Sequence, residues 1–210
     1  MGHSAVLDII ISIVIFGMLL LMVLRLSAEA EEAAIMHLSN FLLQRNMVVV
    51  SAIIENDLKN MGFNNIRQEG YNKATGSSFI LFADSNGISF KTDLTPDDGP
   101  NEDIITYKEG DLVQYTENPR DRYLERIVNG KRELLNVGLT ELRFAYYDVS
   151  EPTKKLNFPI TSPGNIGPIE VSIKLETPDR MHPEYSVDTS QYEMYWRQFR
   201  IMARRLLLQR

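Results

Sequence analysis

Apolar side chains fill residues 5–24 almost without interruption, AVLDIIISIVIFGMLLLMVL, with Asp8 the single formal charge among them. At about 1.5 Å of rise per residue, a helix of this length matches a hydrocarbon core roughly 30 Å thick, so the pattern predicts a membrane-spanning helix. A cleaved signal peptide is the competing reading. Against it, no Lys or Arg precedes the run, and residues 26–30 (LSAEA) match a cleavage site only loosely. The run also exceeds the usual apolar region of about 7 to 15 residues.

Beyond the run the chain changes face but not period. Residues 27–61 are rich in helix formers and hold neither Pro nor Gly until Gly62, which stands where a glycine cap ends a helix. Met36, Leu43, Met47, Val50, Ile54, Leu58 and Met61 recur at steps of three, four or seven, a stripe that something must cover. The β-branched triplet Val48-Val49-Val50 favours a strand locally, but the flanking period stays helical. The prediction is one helix over residues 5–61, about 85 Å long at 1.5 Å per residue.

From Phe63 onward the texture becomes short alternating or apolar runs between turn residues. Candidate strands lie at 78–83, 87–91, 103–108, 111–116, 123–128, 131–136, 139–148, 169–176 and 192–202. Asn129-Gly130 is a two-residue hairpin signal, and Lys108-Glu109-Gly110-Asp111 and Ser85-Asn86-Gly87 are further turn candidates. Chained hairpins make an antiparallel meander, whose apolar face the amphipathic half of the helix would cover. The expected fold class is therefore α+β: a long N-terminal α-helix, transmembrane half plus amphipathic half, packed on an antiparallel β-sheet head. Its expected divisions are an anchor at 1–26, a stalk at 27–62 and a head at 63–210. Acids and prolines mark 93–102 and 151–168 as long loops.

Composition narrows the chemistry. A formal net charge of −6 argues against a nucleic-acid partner, which needs a basic face. With no cysteine, disulfides, thiolate metal sites and thiol catalysis are all excluded. His3, His37 and His182 are too dispersed for a shared metal site, and no G-x-S-x-G, P-loop or G-x-G-x-x-G motif occurs. Neither an enzyme nor a small-molecule substrate is expected. Asp97, Asp98, Glu102 and Asp103, with Asp93 nearby, offer oxygens that a calcium ion would accept, although their spacing departs from the EF-hand pattern. A solvated acidic loop is the preferred reading, with no cofactor.

Four residues of the apolar run are singled out. Asp8 in hydrocarbon would cost about 2.5 to 3.5 kcal/mol at the bilayer centre, so it must lie at headgroup depth or find a partner. Ser12 and Gly17 are small enough to let another helix approach closely, and Leu20 sits deep in the span. At the other terminus, residues 195–210 carry five arginines and three aromatics, Tyr195, Trp196 and Phe199. At period two, Phe199, Ile201 and Ala203 share a strand face; at period 3.6, Trp196, Phe199, Ala203 and Leu207 share a helix face. Both readings remain open, and Trp196 and Phe199 are candidate interaction residues. The Lys and Arg bias is thin: Arg25 alone follows the span, which favours a cytoplasmic head, while an exported head remains open.

Residues 57–63, DLKNMGF, look like the D-L-x-x-x-G-F end of the stalk helix in minor pilins and minor pseudopilins of the J or W type. ITYKEGDL at 105–112, LLNV at 134–137, LRFAYYD at 142–148 and IEVSI at 169–173 resemble the hairpins and strands of those heads in order and spacing. The chain thus resembles the type IV pilin and pseudopilin group over most of its length. That resemblance implies a structural subunit assembled through its N-terminal helix into a cell-envelope filament or secretion pseudopilus, with membrane lipid and other such subunits as partners. It also implies a single-pass membrane protein with its head outside the cytoplasm, a final strand at the C-terminus, and an inter-subunit role for Asp8 against a neighbour's amine or basic group. The N-terminus departs from the family pattern. A leader ending at Gly2 would make His3 the first mature residue, Leu7 the fifth and Asp8 the sixth, one place after the family's acid. The alternative expectation, favoured by a retained Met1, is an unprocessed, membrane-anchored accessory subunit of a secretion system or motor.

Overall fold

The computed structural model describes residues 2–62, 79–94, 103–180 and 192–202. Two compact units make up the chain, Met1–Leu42 and Leu43–Arg210. Helix α1 spans Gly2–Lys59. In the first unit its apolar side chains from Val6 to Leu26 are all exposed, and the helix is long and apolar enough to cross a membrane.

The second unit joins the last turns of α1, among the described residues, to seven strands: β1 (Ile80–Asp84), β2 (Gly87–Thr92), β3 (Asp103–Leu112), β4 (Arg122–Val128), β5 (Lys131–Asp148), β6 (Ile166–Glu176) and β7 (Met194–Ile201). They form one antiparallel sheet in sequence order, so the fold is α+β. Leu43, Met47, Val50, Ile54, Leu58 and Met61 share one core with Ile88, Phe90, Ile105, Leu124, Leu139, Leu142, Val171 and Ile173. Within the β-branched triplet only Val50 is buried, whereas Val48 and Val49 are exposed, as a helical period requires. Gly62 has φ +73° and donates its amide to Lys91 O at 2.8 Å, a glycine stop that passes the chain onto the sheet.

Among the described residues seven strands stand where nine were expected, because β3 and β5 each run through a glycine that lay between two expected strands. β3 runs straight through Gly110, where a Cβ would lie 3.0 Å from Tyr123 O; the register slips between Glu109 and Leu112, a bulge and not a turn. β5 likewise passes Gly138, at φ +80°, where a Cβ would come within 2.4 Å of Glu176 O. At that point β5 changes partner: Leu139 is paired with Arg122 of β4 and with Leu175 of β6. The Asn129-Gly130 hairpin is as expected, with φ of 51° and 82° at its two residues. The loop predicted at 151–168 ends earlier, at β6, and is tied down: Lys155 bridges to Tyr147, Leu156 N donates to Tyr146 O at 2.8 Å, and Leu156 and Ile160 pack on the core. Most of the other acidic loop lies outside the described residues.

Candidate functional site

The expected assembly residues of the apolar helix are all in place on α1. Asp8 and Ser12 are exposed, and Ser12 Oγ donates to Asp8 O at 2.7 Å, so the hydroxyl is satisfied within the helix. A Cβ built on Gly17 meets nothing within 4 Å, which leaves a shallow open spot on the surface. Leu20 is exposed, as are the apolar residues on every side of it. Such a surface offers close approach and dispersion contact to lipid or to a second apolar helix.

In the second unit, α1 is fastened to the sheet by charge as well as by its apolar stripe. Asp57, 5 % exposed, accepts from Tyr107 Oη and from Arg126 Nε at 3.0 Å, and Arg126 Nη1 reaches Glu133 at 3.1 Å. Burial, with Asp57 adding to it, drives the Tyr107 phenol pKa far up, so this hydroxyl stays a donor. Gln44 Nε2, near the start of the same helix segment, donates to Tyr195 Oη, and Glu55, two residues before Asp57, pairs with Arg197 Nη2 at 2.8 Å. Sequence reasoning noticed Asp57 only as part of a motif. Its partners come from strands 50 and 69 residues away, a pairing that no local signal announces.

β7 settles the open question at the C-terminus in favour of a strand for Met194–Ile201. Phe199 and Ile201 share the core-facing side, whereas Trp196 points the other way and is exposed. The structure therefore does not bring Trp196 and Phe199 into one patch. Ala203 and Leu207 lie outside the described residues. β7 is a terminal strand of the sheet, paired through Ile169↔Ile201 to Glu176↔Met194 with β6. On its outer face Arg200 Nη2 binds Glu170 at 2.9 Å while its guanidinium lies 3.7 Å from the Tyr147 ring centre. Burial works against the Glu170 carboxylate, but hydrogen bonds from Arg200, Gln198 and Tyr147 outweigh it and lower its pKa.

Two further buried acids are enclosed by cations. Glu125 faces Lys108 Nζ at 3.5 Å and the Arg132 guanidinium, and Glu176 faces Arg120 at 2.8 Å and Lys174 at 3.0 Å. Of the calcium candidates, Asp97, Asp98 and Glu102 lie outside the described residues. Asp103 is buried and uses its carboxylate to accept from Leu94 N at 2.8 Å and Asn129 Nδ2 at 2.6 Å, which fixes the start of β3 against the hairpin. Among the described residues no three His, Asp or Glu gather in a way that would hold a metal ion. These polar groups are arranged to hold elements together. Set against known proteins, the chain matches no family model, no curated protein and no solved structure.

Proposed function

We propose that this chain is a pilin-like structural subunit, of the minor pilin or pseudopilin type, which assembles through its N-terminal helix into a cell-envelope filament or secretion pseudopilus. The observation that carries the reading is a helix apolar on all sides from Val6 to Leu26, continuous with a segment that joins the core of an antiparallel sheet. Such a helix is held in lipid until other apolar helices replace the lipid, and its small residues set how closely they come. The head lies outside the cytoplasm in this reading. Asp8 is the one charged group in the apolar run, and its carboxylate supplies an inter-subunit contact with a basic group of a neighbour.

Membrane fractionation joined to cross-linking of the full chain tests this. Leu20→Arg should abolish membrane retention, while Asp8→Leu should keep the protein in the membrane yet lose cross-linked assemblies. Normal assembly of Asp8→Leu would remove Asp8 from the mechanism, and a soluble native protein would end the proposal. The position of Asp8, one place later than the family's acid after Gly2, favours a second reading: an unprocessed accessory subunit of a larger membrane machine. Mass spectrometry of the mature N-terminus separates the two, since a start at His3 belongs to the filament route.

A further inference from the structure

Residues 113–121 connect β3 to β4 and are pinned at Asn118, which is 2 % exposed. Its Nδ2 donates to Glu176 Oε2 at 3.0 Å and Thr177 O at 3.2 Å, its Oδ1 accepts from Arg120 N at 3.0 Å, and its amide donates to Pro178 O at 3.0 Å. The loop closes where Val113 N donates to Asp121 O at 2.9 Å and Asp121 N to Asn118 O at 3.2 Å. At its tip Tyr115 is fully exposed, with φ of 81°. This closure carries the Asp121 side chain inward. Asp121 is 1 % exposed, and neither carboxylate oxygen has a well-formed hydrogen bond among the described residues.

A carboxylate in that position has no cation of its own. From β6 it faces Glu176, a like charge, which takes up Lys174, the Asn118 side-chain amide and one terminal nitrogen of Arg120, while Arg120 Nε is buried without a hydrogen bond among the described residues. From β4, the Arg122 guanidinium is turned to Gly110 O at 3.3 Å. Glu117, in the loop, accepts from Arg180 N at 3.4 Å. The Thr116 hydroxyl and Arg122 amide lean toward Asp121 and ease the charged form only in part.

We propose that the protonation state of Asp121 controls the 113–121 loop: as a neutral acid the side chain stays buried and the loop is closed, and as a carboxylate it seeks water and the loop opens. This stands independently of the pilin-like reading. Burial raises the pKa, Thr116 and Arg122 pull it down, and Glu176 raises it again, leaving it at about 6. Because the closed loop holds the proton more tightly than the open one, the stabilisation is full below the ordinary Asp value near 4 and is lost as pH rises through about 6.

Hydrogen exchange on the full chain in detergent micelles, corrected for intrinsic rates, tests the switch. The amides of 113–121 should be about tenfold better protected at pH 5 than at pH 7.5, the change expected for a shift from near 4 to about 6. Asp121→Asn should remove that difference, and Glu117→Gln should retain it. Equal protection of the wild type at both pH values overturns the proposal, as does a pH dependence that survives in Asp121→Asn. Calcium chloride restoring full protection at pH 7.5 also overturns it, because the buried oxygens would then be serving a cation. Should Asp121→Asn fail to fold, a carbon NMR titration of the wild-type Asp121 carboxyl decides: a midpoint near 6 supports the switch and one near 4 refutes it.

Discussion

Asp57 occupies the buried side of a mostly apolar helical stripe, a placement that is unfavourable unless the carboxylate finds donors. Tyr107 Oη and Arg126 Nε both donate to its Oδ2. A buried ion pair contributes little against a well-packed apolar replacement, but removing one member strands the other, at about 3 to 5 kcal/mol when fully buried. Arg126→Met, which strands the buried Asp57, is therefore expected to lower unfolding stability by about 3 kcal/mol in urea titrations, and Asp57→Leu by somewhat less, since the Arg126 it leaves behind is partly exposed and keeps Glu133. The double variant should recover most of the loss; additive losses would show that the two side chains act separately. The glycines give a second test at this scale. Gly130 and Gly138 both have positive φ, but a Cβ meets nothing within 4 Å at Gly130 and Glu176 O at 2.4 Å at Gly138. Gly130→Ala should cost about 1 to 2 kcal/mol from backbone conformation alone, and Gly138→Ala distinctly more. Read from sequence, Gly130 belongs to a hairpin turn and Gly138 lies in the gap between two expected strands. What separates them is a strand 38 residues further along the chain at Gly138, information that no window around the glycine contains.

At the scale of elements, legibility follows the range of the interactions that set each one. The stripe from Leu43 to Met61 was readable because a helix repeats its own geometry, and six of the seven predicted positions are buried. Met36, the seventh, is half-buried and belongs to the other compact unit. Within this one helix the consequence is sharp. Ile54→Ala should cost about 3 kcal/mol, as deletion of buried methyl groups does, while Val49→Ala should stay within about 0.5 kcal/mol. Similar losses at both positions in chemical denaturation would mean that the face containing Val49 is covered in the folded protein. Strand number was less readable. A bulge and a turn both place glycine between apolar runs, and only the partner strand distinguishes them. β5 shows the result, one strand of 18 residues where the pattern suggested two. The strand at the C-terminus was ambiguous for a different reason: residues 195–203 satisfy period two and period 3.6 equally, and pairing with β6 decides in favour of the former.

For the whole molecule, one fact bears on the proposed function: the segment from Val6 to Leu26 exposes seventeen large apolar side chains, an apolar surface of the kind that marks a membrane or interaction site. That surface is compatible with lipid or other apolar helices around it, and it was legible from the first residues of the sequence. Which partners cover it was not legible, because assembly depends on surfaces of other molecules. Nor was the side on which the sheet resides: Arg25 alone favours the cytoplasm, whereas the family resemblance places the sheet outside. The absence of cysteine makes the question answerable with one substitution. Glu151 is exposed in the connection between β5 and β6, so Glu151→Cys introduces a single accessible thiol at a surface position where substitutions usually change stability by less than about 0.5 kcal/mol. A membrane-impermeant maleimide should modify that thiol in intact cells if the sheet lies outside the cytoplasm. Modification only after lysis would place the sheet inside, in agreement with Arg25, and would rule out export of this chain into a filament while leaving untouched the proposal that the apolar helix is an anchor.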